Sequence, residues 1–138
     1  MKKRMSILSL LFCVSIFSVN AITPPINSFQ EEAKIYNVNV DQFAKLVKAN
    51  KGIVLDVRTP GEWEEGTIAD ATKINYYDSD FAQQIEKLNK DEPVLVYCKK
   101  GGRSAGAAEI LKEKGFTKVF NLEGGITAWK EAGKEVNK

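Results

Sequence analysis

Histidine is absent from the 138-residue sequence, and cysteine occurs only twice. Without an imidazole, no cysteine of this chain can be activated by a histidine base, which excludes the Cys–His class of proteases. Internal repeats and low-complexity tracts are absent as well. Any nucleophilic chemistry of the chain must therefore be activated by other groups.

The sequence also lacks an apolar run of the length that a typical membrane span requires. Its most apolar segment, residues 6–19, is shorter than the ~20 residues of a spanning helix. A basic stretch at residues 2–4 precedes it, and Val-Asn-Ala at residues 19–21 follows it. This pattern predicts a secretory signal peptide, residues 1–21, with cleavage after Ala21. An uncleaved anchor is the alternative. We expect a periplasmic or secreted protein with no membrane association after cleavage.

The mature chain has no large excess of charge of either sign. Residues 1–21 carry three of the 20 Lys and Arg residues and none of the 18 Asp and Glu, so their removal leaves 17 basic against 18 acidic residues, a net charge of −1. This balance gives no support to nucleic-acid binding. The remaining 117 residues suffice for one domain with a real core. Because Cys13 leaves with the signal, Cys98 is the only thiol of an exported protein. Such a thiol is buried and inert, paired between chains, or reactive.

Candidate strands and helices alternate along the rest of the chain. Apolar runs predict strands at 35–38, 52–57, 72–76, 93–98 and 118–122. Helices are predicted at 40–50, from Thr59 through a capping box with Glu62, at 78–89 with Asp78 or Ser79 as cap, at 103–115 and at 125–133. Two of the strands are apolar on both faces, which is typical of parallel sheets. We therefore expect an α/β fold with about five mainly parallel strands and helices on both faces.

The segment "YCKKGGRS", residues 97–104, places Cys98 at the end of an apolar strand. Parallel sheets bind ligands beyond the carboxyl ends of their strands. Gly101 and Gly102 allow the loop to curl so that its N–H groups point inward, and the following helix adds the positive end of its dipole. Three cations follow the thiol: Lys99, Lys100 and Arg103. All of these features favour the nucleophilic thiolate. The alternative is a buried cysteine with solvated lysines beside it.

Three motifs resemble those of the rhodanese-homology domain, over residues 36–132. "LDVRTPGEWEEGTI" (55–68) is similar to the Asp-Val-Arg segment that leads to Gly-x-Ile in this family. "YCKKGGRS" is similar to its Cys-x-x-Gly-x-Arg-Ser loop, and "NLEGGITAW" (121–129) to its C-terminal Gly-Gly and Trp signature. The resemblance implies a rhodanese-like domain over residues 35–138, preceded by an N-terminal arm at residues 22–34.

The resemblance also implies an activity, a thiosulfate sulfurtransferase in which Cys98 carries sulfur as a persulfide. The residues that it implies for substrate binding are those of the loop together with one arginine: Lys99, Lys100, Gly101, Gly102, Arg103, Ser104 and Arg58. The donor would be a small anion such as thiosulfate, and the acceptor cyanide or a thiol. No metal or organic cofactor is implied. We expect a monomer that binds no nucleic acid.

The sequence departs from the family at residues 66–68, which read Gly-Thr-Ile where the family commonly has Gly-His-Ile. We expect Thr67 to be a structural replacement, because activation of the thiol by the loop does not require an imidazole. Asp56 and Arg58 are expected to form an ion pair beside the loop. The glycine pair at 124–125 is expected to permit a tight turn from strand to helix.

Two other functions fit the same residues. A cysteine phosphatase or arsenate reductase of related architecture also uses a strand-end cysteine and an arginine, in a Cys-x5-Arg loop. Here only four residues separate Cys98 from Arg103, and the shorter loop is predicted to fit a single sulfur atom rather than the oxygens of a phosphate. A non-catalytic sulfur-carrier or binding module is the second alternative, and residue spacing does not distinguish it from an enzyme.

Overall fold

A computed structural model of the protein describes residues 31–138 and contains one five-stranded sheet. In chain order the strands are β1 (Lys34–Val38), β2 (Ile53–Asp56), β3 (Thr72–Lys73), β4 (Val94–Tyr97) and β5 (Lys118–Leu122). Their order across the sheet is β1-β5-β4-β2-β3, and every neighbouring pair is parallel. The prediction of a parallel α/β sheet is confirmed. The predicted signal peptide and residues 22–30 of the predicted arm lie outside the described residues.

Within residues 31–138 the structure contains five helices, four of which pack on the two faces of the sheet. The five helices are α1 (Val40–Lys48), α2 (Pro60–Trp63), α3 (Phe81–Ile85), α4 (Gly102–Glu113) and α5 (Gly125–Glu131). Buried residues of α3 and α4 form one apolar cluster with the sheet, and buried residues of α1 and α5 form another on the opposite face. No helix within residues 31–138 is both long and apolar enough to cross a membrane.

The central strand β4 is buried on both faces, which explains its continuous apolar sequence. Successive side chains of a strand point to opposite faces. Val94, Val96 and the following Cys98 therefore pack in the cluster of α4, whereas Leu95 and Tyr97 pack in the cluster of α1 and α5. This alternation places the Cys98 side chain on the same side of the sheet as the N-terminus of α4.

The largest differences from the predicted elements lie at residues 72–89, where β3 and α3 are both much shorter than predicted. The strand predicted at 72–76 spans only Thr72–Lys73, although the N–H groups of Ile74 and Tyr76 still donate to the carbonyl oxygens of Asp56 and Val57. Asn75 starts a turn here, since its side chain accepts a hydrogen bond from the N–H of Tyr77 and donates to Asp78. The predicted cap of the next helix was wrong. The carboxylate of Asp78 accepts hydrogen bonds from the side chains of Asn75 and Gln84, and Asp80 is the residue that precedes α3. In this segment the side-chain hydrogen bonds of Asn75 and Asp78 thus replace part of the predicted strand and the first turn of the predicted helix.

Candidate active site

Cys98 immediately follows β4, and its side chain is almost fully buried, with 1% of the residue exposed. The N–H of Gly101 donates a hydrogen bond to Cys98 Sγ over 3.1 Å. Gly101 has φ of +107°, a backbone conformation that side chains rarely adopt, and it is the residue that precedes α4. The loop therefore curls back over the sulfur, as the two glycines predict.

Burial and hydrogen bonding act on the thiol in opposite directions. Burial is the largest single influence and raises the pKa of Cys98, but hydrogen bonds from the Ser104 hydroxyl and from the N–H groups of Ser104, Gly101 and Lys100 lower it. Together the donors prevail, and the pKa lies below that of an ordinary thiol. The Ser104 hydroxyl also reaches the carbonyl oxygen of Gly101 at 3.1 Å, and its rotation lets it serve either acceptor. The site is thus built to stabilise a thiolate.

The first half of the loop is held by the N-terminus of α5. The N–H of Ile126 donates to the carbonyl oxygen of Cys98 at 2.9 Å, and the N–H of Thr127 donates to that of Lys99 at 3.0 Å. This approach depends on Gly125, because a Cβ there would lie 2.4 Å from the first carbonyl oxygen and 2.5 Å from the second. The sequence predicted only a tight turn at the glycine pair. The contact between the glycine pair and the loop could have been predicted, because the loop follows β4 and the glycine pair follows β5. These two strands are parallel neighbours, so the segments that follow them meet at the same edge of the sheet.

The second half of the loop is held by an ion pair. Arg103 Nη1 donates to Glu62 Oε2 and Arg103 Nη2 donates to Glu62 Oε1, both over 2.8 Å. Glu62 belongs to α2 and also accepts hydrogen bonds from the Thr59 N–H and hydroxyl, which confirms the predicted interaction between these two residues. Hydrogen bonds from Arg103 lower the pKa of Glu62 to about 2, and the same contacts raise the pKa of Arg103. No pattern in the sequence indicates that Glu62 reaches the loop as well as its own helix.

The two lysines of the loop are arranged differently from Arg103. Lys99 and Lys100, which directly follow Cys98 in the chain, are exposed to solvent. Within residues 31–138, no group of three or more His, Cys, Asp or Glu side chains is placed to hold a metal ion. What the loop offers is a buried sulfur, inward-pointing donors and two exposed positive charges. This combination suits a nucleophilic thiolate and an anionic reactant.

The comparisons with known proteins agree with this geometry. Residues 39–132 match the model of the Rhodanese-like domain. The chain belongs to this family. It is 38% identical over 86 residues to the thiosulfate sulfurtransferase GlpE of Coxiella burnetii, covering 62% of this chain and 78% of the relative. Sulfurtransferases are thus among the relatives of this rhodanese-like domain.

Two solved structures have a similar fold. A rhodanese-related protein from Thermoplasma volcanium superposes with a TM-score of 0.65 at 35% identity, covering 73% of this chain and 96% of that one. A protein of unknown function from Rhodopseudomonas palustris, described as a possible tyrosine phosphatase, has a TM-score of 0.64 at 28% identity, covering 84% and 96%.

The Asp-Val-Arg segment that is typical of rhodanese-like domains contains a buried ion pair. Arg58 Nη2 lies 2.7 Å from Asp56 Oδ2, with only 1% and 0% of the two side chains exposed, so the predicted ion pair is confirmed. The Tyr97 hydroxyl also donates to Asp56, and Arg58 donates to the carbonyl oxygen of Gly66. The Arg58 guanidinium is therefore buried and already occupied. This arrangement does not support the predicted contact between Arg58 and a dissolved substrate.

Thr67 stands where rhodanese-like domains commonly have histidine, and its contacts are with the backbone. Its N–H and carbonyl pair with those of Asn137, each over 2.8 Å, and its hydroxyl donates to the carbonyl oxygen of Ala69. Thr67 also lines a cavity of about 330 Å³ together with Trp63, and no residue of the loop 98–104 lines that cavity. These contacts are of the structural kind that was expected of Thr67.

Proposed function

We propose that the protein is a sulfurtransferase that moves sulfane sulfur from an anionic donor, such as thiosulfate, to a thiophilic acceptor through a persulfide on Cys98. The observation that carries the proposal is the hydrogen bond from Gly101 N–H to Cys98 Sγ, in a loop whose other donors also lower the pKa of the thiol. Membership of the rhodanese-like family and the sulfurtransferase names of its relatives support the same reaction class.

The first half-reaction is a displacement at sulfur. The Cys98 thiolate attacks the outer sulfur of thiosulfate, an S–S bond to the protein forms, and the S–S bond of thiosulfate breaks. Sulfite leaves with the bonding electron pair, so the persulfide keeps one negative charge. The donors that stabilise the thiolate are available to the charged outer sulfur of the persulfide, since this atom extends from Sγ into the loop. Neither a proton nor an external oxidant is required.

The second half-reaction returns the enzyme to its starting state. An acceptor such as cyanide or a thiolate attacks the outer sulfur of the persulfide, and the Cys98 thiolate leaves with the electron pair of the broken bond. A low thiol pKa makes Cys98 a better leaving group, so the same hydrogen bonds assist both halves. The thiolate is regenerated without any change in its redox state.

Positive charge next to Cys98 in the loop favours an anionic donor. Lys99 and Lys100 are exposed, and cations near a site raise the local concentration of anions and their rate of encounter. Arg103 contributes little free charge, because Glu62 neutralises it in a two-pronged ion pair. The attraction of the donor is therefore assigned chiefly to the two lysines.

A phosphatase is the second candidate, favoured by the likeness to the Rhodopseudomonas palustris protein described as a possible tyrosine phosphatase. Two features of this chain argue against it. The loop has four residues between Cys98 and Arg103 instead of five, and the Arg103 guanidinium is turned to Glu62. A phosphate would need both the room and the free guanidinium to pair with its oxygens at about 2.7–2.9 Å.

The experiment that tests the proposal compares the wild type with Cys98→Ser on two substrates. After incubation with thiosulfate, the intact mass of the wild type should rise by one sulfur atom, removable by a reductant. Cys98→Ser should show neither this gain nor thiosulfate:cyanide turnover, and it should unfold at the same temperature as the wild type. Rapid hydrolysis of an aryl phosphate without sulfur transfer would support the phosphatase instead. A persulfide that forms on Cys98 but transfers its sulfur neither to cyanide nor to a thiol would identify a sulfur carrier.

We propose, in addition, that the protein works outside the cytoplasm as a monomer, after removal of residues 1–21. The basic segment, the apolar segment and the small residue Ala21 support export. A thiol that works alone suits an oxidising compartment, because it has no second cysteine in the mature chain with which to form an internal disulfide.

A further inference from the structure

The outer side of the loop at Gly102 has no packing partner. A Cβ atom added to Gly102 would have no neighbour within 4 Å. The hydrogen bonds from α5 reach only the first half of the loop. The second half is held locally by hydrogen bonds from the Ser104 hydroxyl and the Ala105 N–H to the carbonyl oxygen of Gly101. Its one large side chain is that of Arg103, so any tie from this half to a distant part of the chain depends on what Arg103 contacts.

Arg103 is fixed by two partners from different parts of the chain. Both of its terminal nitrogens donate to Glu62 over 2.8 Å, and its guanidinium carbon lies 5.6 Å from the centre of the Tyr77 ring. Glu62 is itself fixed, because the N–H of Thr59 donates to it at 3.0 Å and the Thr59 hydroxyl at 2.9 Å. The first turn of α4 is therefore tied through Arg103 to the first turn of α2.

This tie is attached beside the groups that stabilise the thiolate. Arg103 lies between Gly101, whose N–H reaches Cys98 Sγ at 3.1 Å, and Ser104, whose hydroxyl reaches the carbonyl oxygen of Gly101 at 3.1 Å and, with the Ser104 N–H, lowers the pKa of the thiol. A shift of the first turn of α4 would lengthen these hydrogen bonds together. Hydrogen bonds weaken steeply as their distance and angle depart from the optimum.

We propose that Glu62 and Arg103 act as one positioning unit that holds the donors of the loop against Cys98 Sγ. The inference rests on the proposed function, since it concerns the same sulfur. It gives Arg103 a role other than the predicted contact with the donor anion. The guanidinium is matched by a carboxylate, and only about a fifth of each side chain of the pair is exposed, 18% for Arg103 and 20% for Glu62.

A competing role for Glu62 predicts the opposite effect. If Glu62 only masked the charge of Arg103, Glu62→Gln would release a cation beside the sulfur. The pKa of Cys98 would then fall and the KM for thiosulfate would fall with it. If Glu62 positions Arg103, the same substitution loosens the loop, so the pKa of Cys98 rises and kcat falls. The sign of the change separates the two roles.

The experiment measures the rate of Cys98 alkylation by iodoacetamide, an uncharged reagent, as a function of pH, together with thiosulfate:cyanide kinetics. Glu62→Gln and Arg103→Gln should each move the midpoint of alkylation to higher pH and lower kcat/KM by roughly tenfold or more, as displaced reacting groups do. The double variant should fall no further than either single variant, because residues that act as a unit are not additive. Glu65→Gln, an exposed neighbour on the same segment, serves as the matched control and should change neither quantity.

Arg103→Lys provides a second test that keeps the charge. Lysine cannot form the two-pronged bond to a carboxylate, so positioning predicts nearly the same loss as in Arg103→Gln. Wild-type behaviour of Arg103→Lys, a lower alkylation midpoint in Glu62→Gln, or additive losses in the double variant would each overturn the proposal. Alkylation requires no sulfur transfer. The positioning unit can therefore be tested even if the wild type fails to use thiosulfate, and that failure would count against the proposed function alone.

Discussion

The contact between α5 and the loop makes a sharp prediction for Gly125→Ala. A methyl group there would lie 2.4 Å from the carbonyl oxygen of Cys98 and 2.5 Å from that of Lys99. Both obstacles are backbone atoms, so no side chain can rotate away. Relief requires α5 to move from the loop by about half an ångström or more, which takes both of its hydrogen bonds out of the favourable range of about 2.7–3.2 Å.

The size of the effect follows from two contributions. Gly125 has φ of +58°, where a residue with a Cβ costs about 1–2 kcal/mol. Weakening the hydrogen bonds from Ile126 and Thr127 removes about 0.5–1.5 kcal/mol for each. The variant should therefore lose about 2–5 kcal/mol of unfolding free energy, a large share of the ~5–15 kcal/mol of a typical domain.

Gly133→Ala is the matched control for this variant. Gly133 has φ of +73°, and a Cβ there would meet no atom within 4 Å. It shares the backbone strain of Gly125→Ala and lacks the clash, so it should lose only about 1–2 kcal/mol. The measurement is equilibrium unfolding in urea, followed by tryptophan fluorescence, combined with alkylation of Cys98 across pH. Gly125→Ala should also raise the pKa of the thiol, whereas Gly133→Ala should not. Equal stability of the two variants would refute the proposed anchoring of the loop by α5.

Two further predictions concern the thiolate and export. Ser104→Ala removes the hydroxyl that lowers the pKa of Cys98, so the midpoint of alkylation should move to higher pH while the rate at high pH stays the same. The control is Ser79→Ala, which changes an exposed serine and should leave the midpoint unchanged. An unchanged midpoint in Ser104→Ala would show that the hydroxyl does not stabilise the thiolate. Protein isolated from its native host should begin at Ile22 on N-terminal sequencing, and a chain that still begins at Met1 in the membrane fraction would contradict export.

The parallel sheet could be predicted because its central strands are apolar on both faces. The run at 93–98 contains no alternation, and in the structure β4 is buried on both sides. The position of Cys98 beyond the carboxyl end of this strand followed from the same reasoning. Residues 74–80 were predicted less well, because competition between strand pairing and the local hydrogen bonds of Asn75 and Asp78 depends on geometry that periodicity does not contain.

The candidate site was predicted as a list of neighbours along the chain, and its long-range contacts were missed. Glu62 was recognised as a helix cap, yet it also reaches Arg103, 41 residues away. The glycine pair at 124–125 was read as a turn, although its close approach is to the carbonyls of the loop. The ion pair of Arg58 with Asp56 was predicted, but its complete burial, which leaves the guanidinium unavailable to a substrate, does not follow from residue type. Sequence shows which groups a loop contains, and tertiary packing decides which of them remain available.

The chain contains no histidine, so the thiolate must be stabilised by other groups, and the two contacts that hold the loop explain how this is possible. A general base activates a thiol by accepting its proton, and it must itself be in the right protonation state. Here the thiolate is stabilised by N–H and O–H donors that do not titrate, and hydrogen bonds are effective for this purpose only when they are held in place. The anchoring from α5 and the Glu62–Arg103 pair supply that restraint, and the low pKa of Glu62, about 2, keeps the pair charged over the range in which the thiol ionises. A thiolate stabilised by a rigidly placed loop in this way requires no imidazole.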